Sequence, residues 1–256
     1  MPNRGAHPRT QPPMPRRRGH QFLAACAVVA ATLGGTSAGA GLPARLPAAL
    51  ASAPTAGVGT FRQVGATPWL DHGKPLLLYV SAQYCPFCAA ERWALVLATS
   101  RFGRWSGLGA MHSTPGEAGF PGLATYDLLH ASYHSTLLAL QMREVADFAG
   151  NPLQQLSAPQ SQAIDRYDPH GSIPFVLIGG QYAQVSSGYS PAVLMGLSFT
   201  RIHTLVYEQP ASTVGRRVVR EANVITALLC AALGAQARGT TGACRLPAVE
   251  ALMPRT

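Results

Sequence analysis

Two cysteines, Cys85 and Cys88, are separated only by Pro86 and Phe87. Two sulfurs at this spacing can form a disulfide and open it again, which is typical of thiol–disulfide exchange. If Cys85 caps a helix, Pro86 falls at the first helical position, where the missing N–H of proline costs little. The next amides and the positive helix end would then stabilise a thiolate on Cys85. The pattern predicts Cys85 as the attacking sulfur and Cys88 as the resolving sulfur.

A short apolar run before the cysteines predicts the strand that positions them. Residues 76–80 are all apolar or aromatic, as in strands that are covered on both faces. We therefore expect this strand to be central in its sheet. After the cysteines, apolar residues recur at three- and four-residue spacing over residues 86–102, and Gly103 is placed to end that helix.

The amino terminus predicts export. Three consecutive arginines end a basic stretch before an apolar run at residues 22–33, and small residues lead to Ala40. This order is typical of a signal peptide over residues 1–40. The apolar run is too short to span a bilayer, although the alternative of a weak uncleaved N-terminal anchor stays open. Residues 41–60 are rich in Ala, Pro, Gly and Ser and predict a flexible linker.

The net charge of +9 does not indicate a nucleic-acid-binding protein. Five of the arginines stand in the predicted signal, where three are consecutive, and no run of that length follows. We expect no nucleic-acid partner, and a membrane contact only if the amino-terminal segment is uncleaved. Removing Cys26 with the signal leaves four cysteines, an even number that suits an oxidising compartment. The expected location is secreted or extracytoplasmic.

The middle of the chain predicts short strands. One is expected at residues 108–112. Residues 126–133 and 137–145 are interpreted as a strand pair across His134 and Ser135, and the second of them is also open to a helical interpretation.

The carboxyl-terminal half predicts a hairpin between helices. Ser157 and Gln160 have the spacing of a capping box, for a helix that continues to residue 167. Two apolar segments separated by Gly-Gly, at residues 174–178 and 181–185, predict the two strands of a hairpin. After the hairpin, helices are predicted at residues 190–207 and 214–233. One α/β domain over residues 61–256 accounts for this order.

Cys-Pro-Phe-Cys after an apolar strand, with Ile173-Pro174 before a second strand and a Gly-Gly hairpin, resembles the thioredoxin superfamily. The resemblance implies a thioredoxin-like central sheet flanked by helices. It implies that Pro174 is cis and faces the cysteines, and that Ile173 offers backbone groups to a substrate. Tyr84, Pro86 and Phe87 would then also contact the substrate. An ordinary trans proline at the start of an edge strand stays open.

The segments Tyr-Cys-Pro-Phe-Cys-Ala-Ala-Glu-Arg-Trp-Ala-Leu and Tyr-Asp-Pro-His-Gly-Ser-Ile-Pro-Phe are similar to domain-of-unknown-function family 929 over roughly residues 61–245. The chain departs from simple thioredoxins in two ways. It has an insertion between the cysteine helix and the cis-proline strand, and Tyr79 stands where thioredoxins bury an aspartate. Glu91, one turn after the second cysteine, is the nearest substitute as a proton acceptor, although a Glu there is more often a solvated helix residue.

Other uses of the cysteines stay open. A zinc site would need Cys230 and Cys244 to fold back to the helix start. A permanent disulfide between Cys85 and Cys88 would constrain the unfolded chain little, because its loop is short. We expect instead that Cys230 and Cys244 form a structural disulfide that ties down the tail and contributes around 3 kcal/mol. No metal site is expected.

The sequence therefore predicts an exported thiol–disulfide oxidoreductase that acts as an oxidase or isomerase of extracytoplasmic proteins and needs no cofactor. Its partners would be protein or small thiol/disulfide substrates and a redox partner. The alternative is a non-enzymatic thioredoxin-fold binding module with an inert disulfide, because a fold alone does not imply a function.

Overall fold

A computed structural model describes residues 60–254, without the side chains of residues 236 and 237. The predicted signal at residues 1–40 and all but the last residue of the predicted linker at residues 41–60 lie outside the described residues. Within residues 60–254, no helix combines the length and the apolar character needed to cross a membrane.

The described chain is a mixed α/β structure. Residues 60–254 contain ten strands: β1 (Arg62–Gln63), β2 (Leu70–Asp71), β3 (Lys74–Ser81), β4 (Arg104–Ser106), β5 (Gly109–His112), β6 (Ala124–Asp127), β7 (Ser132–His134), β8 (Ala139–Glu144), β9 (Phe175–Ile178) and β10 (Tyr182–Val185). The same residues contain six α-helices: α1 (Pro86–Thr99), α2 (Ala158–Tyr167), α3 (Phe199–Tyr207), α4 (Thr213–Ala232), α5 (Ala235–Thr240) and α6 (Pro247–Glu250).

The central strand is β3, as predicted. It pairs in parallel with β8 on one side and antiparallel with β9 on the other, and the sheet continues through β10 to β1. Leu77 and Tyr79 join the core that contains α1 and α4, whereas Leu78 and Val80 join a second cluster against α2. Because successive side chains of a strand point to opposite faces, a strand covered on both faces is apolar throughout.

The helix α1 follows the cysteines and ends at Thr99, three residues earlier than predicted. The hydroxyls of Thr99 and Ser100 donate to carbonyls one turn back, at 2.7 Å and 2.6 Å, and such bonds compete with continuation of the helix. Gly103 is needed here for close packing. A Cβ at this position would lie 2.4 Å from the carbonyl oxygen of His134 on β7.

Two small antiparallel pairs connect α1 to β8. β5 confirms the strand predicted at residues 108–112, but the predicted pairing across His134 and Ser135 is wrong. β6 pairs with β5, β7 pairs with β4, and β8 joins the central sheet beside β3. Ser135 explains the difference, because its hydroxyl donates to the carbonyl of Phe102 and accepts from the N–H groups of Leu137 and Leu138. It anchors a connection rather than a hairpin.

The carboxyl-terminal half largely follows the prediction. α2 and α4 confirm two predicted helices, and β9 and β10 form the predicted hairpin, in which Gly179 and Gly180 have φ angles of 59° and 72°. The continuous helix predicted at residues 190–207 is wrong. A 3-10 helix over Pro191–Leu194 is separated from α3 by Gly196, whose φ angle is 71°, and Ser198 caps α3 anew.

The core fixes α1 in place. Trp93 is fully buried, donates from Nε1 to the carbonyl of Ala124 at 3.0 Å, and packs against the rings of Tyr126 and Phe199. The helix α1 also packs against α4. The helix that carries the cysteines is therefore held between a strand pair and a second long helix.

Candidate active site

Cys85 stands at the junction of β3 and α1. It is the N-cap residue of α1 with extended backbone angles, φ −78° and ψ 122°, and Pro86 follows at the start of the helix. Its Sγ atom accepts a hydrogen bond from the backbone N–H of Cys88 at 3.2 Å. This is the helix-capped arrangement that the sequence predicts. Cys85 and Cys88 are both free thiols in the described structure.

The strand-to-helix turn is held by loops from elsewhere in the chain. The N–H of Cys85 donates to the carbonyl of Ala82 at 3.3 Å, and the N–H of Gln83 donates to that of Ala146 at 2.9 Å. The N–H of Thr114 donates to the carbonyl of Tyr84 at 3.0 Å. The backbone before the cysteines is thus bonded both to the segment after β8 and to the β5–β6 connection.

The surroundings shift the pKa values of the two thiols in opposite directions. A hydrogen bond from the Cys88 thiol lowers the pKa of Cys85, the backbone N–H groups of Cys88 and Phe87 and the charge of Arg92 lower it further, and burial opposes them. Burial raises the pKa of Cys88 well above its ordinary value, and its hydrogen bond to Cys85 adds to this rise. Cys85 is 4% exposed and Cys88 is fully buried, so Cys85 is the sulfur nearer to solvent.

Ile173 and Pro174 are far from the start of α1 in the sequence but lie beside it in the fold. The peptide bond between them is cis, and Pro174 leads into β9. The Cys85 thiol donates to the carbonyl oxygen of Ile173 at 3.7 Å, and the side chain of Ile173 packs against the cluster formed by Ala82, Cys85 and Cys88. The structure therefore brings the residue before the cis proline into contact with the Cys85 sulfur.

Aromatic side chains surround the cysteines. Tyr84 and Phe87 are partly buried against them, and the Phe87 ring meets that of Phe120 edge to face with centroids 5.7 Å apart. The backbone carbonyl of Phe148 accepts from the Thr114 hydroxyl at 2.7 Å, which ties its loop to the β5–β6 connection. Sequence reasoning did not select Phe120, because no local spacing links it to the cysteines.

A buried ion pair lies behind the cysteines and was also missed. Nη2 of Arg92 lies 2.8 Å from Oε2 of Glu144, and the two side chains are 0% and 2% exposed. Arg92 also donates to the carbonyl of Ala82 at 3.0 Å, while Glu144 accepts from the hydroxyl of Ser81 at 2.8 Å. The available signal was the position of Arg92 four residues after Cys88, which places both on one face of α1.

Tyr79 occupies the strand position at which the resemblance implied an aspartate. Its hydroxyl donates to the backbone carbonyl of Cys88 at 3.2 Å. Burial raises the pKa of Tyr79 well above its ordinary value, so the group is a neutral hydrogen-bond donor at physiological pH. It holds the first turn of α1 without accepting a proton.

Glu91 is fully buried, so the solvated alternative for it is wrong. Its two oxygens accept from Nε2 of Gln184 at 3.1 Å and from the N–H of Gly188 at 2.9 Å. Burial, with the nearby charge of Glu221, raises the pKa of Glu91 well above its ordinary value. These partners lie on β10 and the loop after it, on the α4 side of α1. The role of Glu91 as a proton acceptor for the cysteines stays a prediction.

The other two cysteines are bonded to each other. Cys230 on α4 and Cys244 in the 3-10 helix Gly242–Arg245 form a disulfide with a Cα–Cα distance of 5.7 Å. Their sulfurs are therefore not zinc ligands beside Cys85 and Cys88. Among residues 60–254 we find no group of three or more His, Cys, Asp and Glu side chains that could hold a metal ion.

Comparison with known proteins gives one match. No curated protein and no solved structure matches the chain. The match to a family model is shorter than the sequence resemblance implied and does not reach Pro174. Residues 60–160, which carry Cys85, Cys88, Arg92 and Glu144, match the model of the family described as Domain of unknown function (DUF929).

Proposed function

We propose that this protein is an exported thiol–disulfide oxidoreductase of thioredoxin-like architecture. The observation that carries the proposal is the position of Cys85, whose sulfur caps α1, accepts the N–H of Cys88 at 3.2 Å and has the second free thiol behind it. A sulfur at a helix N-terminus is favoured as the thiolate, and the thiolate is the nucleophile of disulfide exchange.

The order of the elements supports a thioredoxin-like arrangement. The strands β8, β3, β9 and β10 are neighbours in this order, with β8 parallel to β3, β9 antiparallel to β3 and β10 antiparallel to β9. The helix α1 leaves β3 through the cysteines, and the cis Pro174 precedes β9. In this interpretation β4 to β7 are the expected insertion.

The exchange proceeds in two balanced steps. The Cys85 thiolate attacks one sulfur of a substrate disulfide, the substrate S–S bond breaks, and the departing sulfur leaves as a thiolate that takes a proton from water. The Cys88 thiol then gives up its proton to water and attacks the Cys85 sulfur as a thiolate, so that the mixed disulfide breaks and the second substrate sulfur departs as a thiolate that takes a proton from water. The substrate is reduced and the protein is oxidised, and the reverse sequence oxidises a substrate dithiol.

The predicted location favours the oxidising direction. In an oxidising compartment a protein disulfide between Cys85 and Cys88 can be passed to substrate thiols, and a redox partner restores it. A site that both breaks and forms substrate disulfides would also serve to isomerise them. The substrates are proteins or small molecules that carry thiols or disulfides.

A second candidate is a non-enzymatic binding module with the same fold and an inert cysteine pair. One observation favours it: Cys85 is only 4% exposed and Cys88 is fully buried. An attacking sulfur must be reached by its substrate, so an oxidoreductase requires that a substrate sulfur can approach Cys85 beside Ile173.

A trapping experiment separates the two candidates. Cys88→Ala removes the resolving sulfur, so an oxidoreductase should accumulate mixed disulfides through Cys85 in the secreted fraction of its native host. The matched controls are Cys85→Ala and the double variant Cys85→Ala/Cys88→Ala, which should trap nothing. If Cys88→Ala is folded and also traps nothing, the oxidoreductase proposal is wrong and the binding module is favoured.

A further inference from the structure

The guanidinium of Arg92 and the turn that holds Cys85 share one acceptor. Nη2 of Arg92 donates to the carbonyl of Ala82 at 3.0 Å, and the N–H of Cys85 donates to the same oxygen at 3.3 Å. Arg92 is also one helical turn beyond Cys88, on the same face of α1. The positive charge is thus bonded to the turn that holds Cys85 and lies on the helix face that carries Cys88.

The guanidinium is paired through only part of its hydrogen-bonding groups. Its Nε and Nη2 atoms donate to Glu144 at 3.3, 3.0 and 2.8 Å, whereas its buried Nη1 atom has no hydrogen-bond partner among the described residues. Leaving a buried donor unpaired is costly. Glu144 in turn accepts from Ser81 at 2.8 Å, so its Oε1 atom is shared between Arg92 and Ser81.

We propose that the buried pair of Arg92 and Glu144 sets how much negative charge the Cys85 and Cys88 sulfurs can hold, with Arg92 favouring the thiolates and Glu144 limiting that effect. This inference rests on the proposed function and assigns two positioning residues to it. Neither residue touches the substrate. Arg92 acts on the sulfurs through its field, and Glu144 acts through Arg92.

The electrostatics agree with this assignment. The charge of Arg92 lowers the pKa of both cysteines, and an interaction between buried charges is screened less than one at the surface. The other titratable groups that act at this place include Tyr79 of β3 and Tyr84 of the turn, and the charges of Glu91 and Glu117 act on these two tyrosines. Burial raises the pKa values of both tyrosines, whereas the pKa of Cys85 is lowered, so they remain neutral while Cys85 titrates.

The test measures how the rate of Cys85 alkylation by iodoacetamide depends on pH in the reduced full chain. The variants are Glu144→Gln, which leaves the charge of Arg92 uncompensated, and Arg92→Met/Glu144→Gln, which removes both charges. We expect the midpoint of the rate to fall in the single variant and to rise in the double variant. A rise by one pH unit corresponds to roughly tenfold slower alkylation at neutral pH.

The opposite signs exclude a merely structural role. Loosened packing would move both variants in the same direction, and that result, or an unchanged midpoint in both, would overturn the inference. Because an uncompensated buried charge can prevent folding, Arg92→Lys is a further variant that keeps the ion pair. Its midpoint should stay closer to that of the wild type than the midpoint of the folded double variant does.

The outcome is independent of the trapping experiment. If Cys88→Ala traps mixed disulfides but the midpoints do not move, the oxidoreductase proposal stands and the role of Arg92 and Glu144 is wrong. If the midpoints move in opposite directions but nothing is trapped, the pair controls sulfur charge in a protein that does not exchange disulfides. The equilibrium of the Cys85–Cys88 disulfide with glutathione provides a second readout, since a stabilised thiolate favours the reduced form.

Discussion

The backbone N–H of Cys88 points at the Sγ atom of Cys85 over 3.2 Å. The hydrogen bond joins the two reactive residues before any disulfide forms between them. It also places the sulfur of Cys85 at the end of α1 where unpaired N–H groups concentrate positive charge.

Cys85 should be alkylated with a pH midpoint below about 8.5, the ordinary cysteine value. Its pKa is lowered most by the hydrogen bond from the Cys88 thiol, so Cys88→Ala should raise the midpoint while the helix N–H groups still act on Cys85. The measurement is the rate of iodoacetamide labelling between pH 5 and 10. Cys85→Ala is the control, in which the buried Cys88 should label slowly. A wild-type midpoint at or above 8.5 would contradict the prediction.

The stability of the protein should fall as the pH rises towards neutrality. Burial raises the pKa of Glu221 from 4.5 to about 7, so the folded protein holds a proton that the unfolded chain releases. This stabilisation is fully present below pH 4.5 and is lost as the pH rises through 7. Glu221→Gln removes the ionisation, so its stability relative to the wild type should increase by about 3 kcal/mol between pH 5 and pH 8.

Urea unfolding of the reduced protein at several pH values measures this effect. The matched control is Glu250→Gln, because Glu250 is exposed on α6. Its stability should follow that of the wild type at every pH. A difference between Glu221→Gln and the wild type that does not change with pH would show that Glu221 is already ionised in the folded protein at pH 5.

Gly188 leaves the space that the Glu221 side chain fills. A Cβ at position 188 would lie 1.8 Å from Cδ of Glu221, so Gly188→Ala should destabilise the protein by about 1–3 kcal/mol through overpacking. In a Glu221→Ala background the same substitution should cost much less, which a double-mutant cycle measures. Gly242→Ala is the control, because among the described residues no atom other than those of its chain neighbours lies within 4 Å of its added Cβ. Additive effects of Gly188→Ala and Glu221→Ala would rule out this contact.

The Cys230–Cys244 disulfide should stabilise the tail without taking part in exchange. The two cysteines are 14 residues apart, and a loop of this size contributes about 3 kcal/mol in the chain-entropy model. Cys230→Ala/Cys244→Ala should therefore lower the free energy of unfolding by about this amount and leave the alkylation midpoint of Cys85 unchanged. Chemical denaturation under oxidising conditions and the labelling experiment provide the two measurements. A shifted midpoint would show that the tail acts on the site.

Local sequence was sufficient to predict those parts of the structure that depend on interactions between neighbouring residues. The N-cap position of Cys85 follows from Pro86, and the hairpin at Gly179 and Gly180 follows from the φ angles that glycine tolerates. The continuous helix expected at residues 190–207 failed because residues 195–198 interrupt it with Gly196 in the left-handed region. Helical periodicity alone does not reveal such a break.

Long-range features could not be predicted. The ion pair of Arg92 with Glu144 joins residues 52 positions apart, and it depends on the parallel register that sets Ser81 beside Glu144. The sequence instead favoured Glu91 because it is one turn from Cys88. Folding directs Glu91 towards Gln184 and Gly188, so proximity along a helix did not establish which charged side chain lies behind the sulfurs.

The two neighbours of β3 bring different parts of the site to the cysteines. β8 ends with Glu144, which pairs with Arg92 on the cysteine helix, whereas β9 follows Ile173 and Pro174, and the carbonyl of Ile173 accepts from the Cys85 thiol. In the proposed oxidoreductase, substitutions beside β8 would therefore act on the charge of the sulfurs, and substitutions before β9 would act on the contacts that a substrate makes at Cys85.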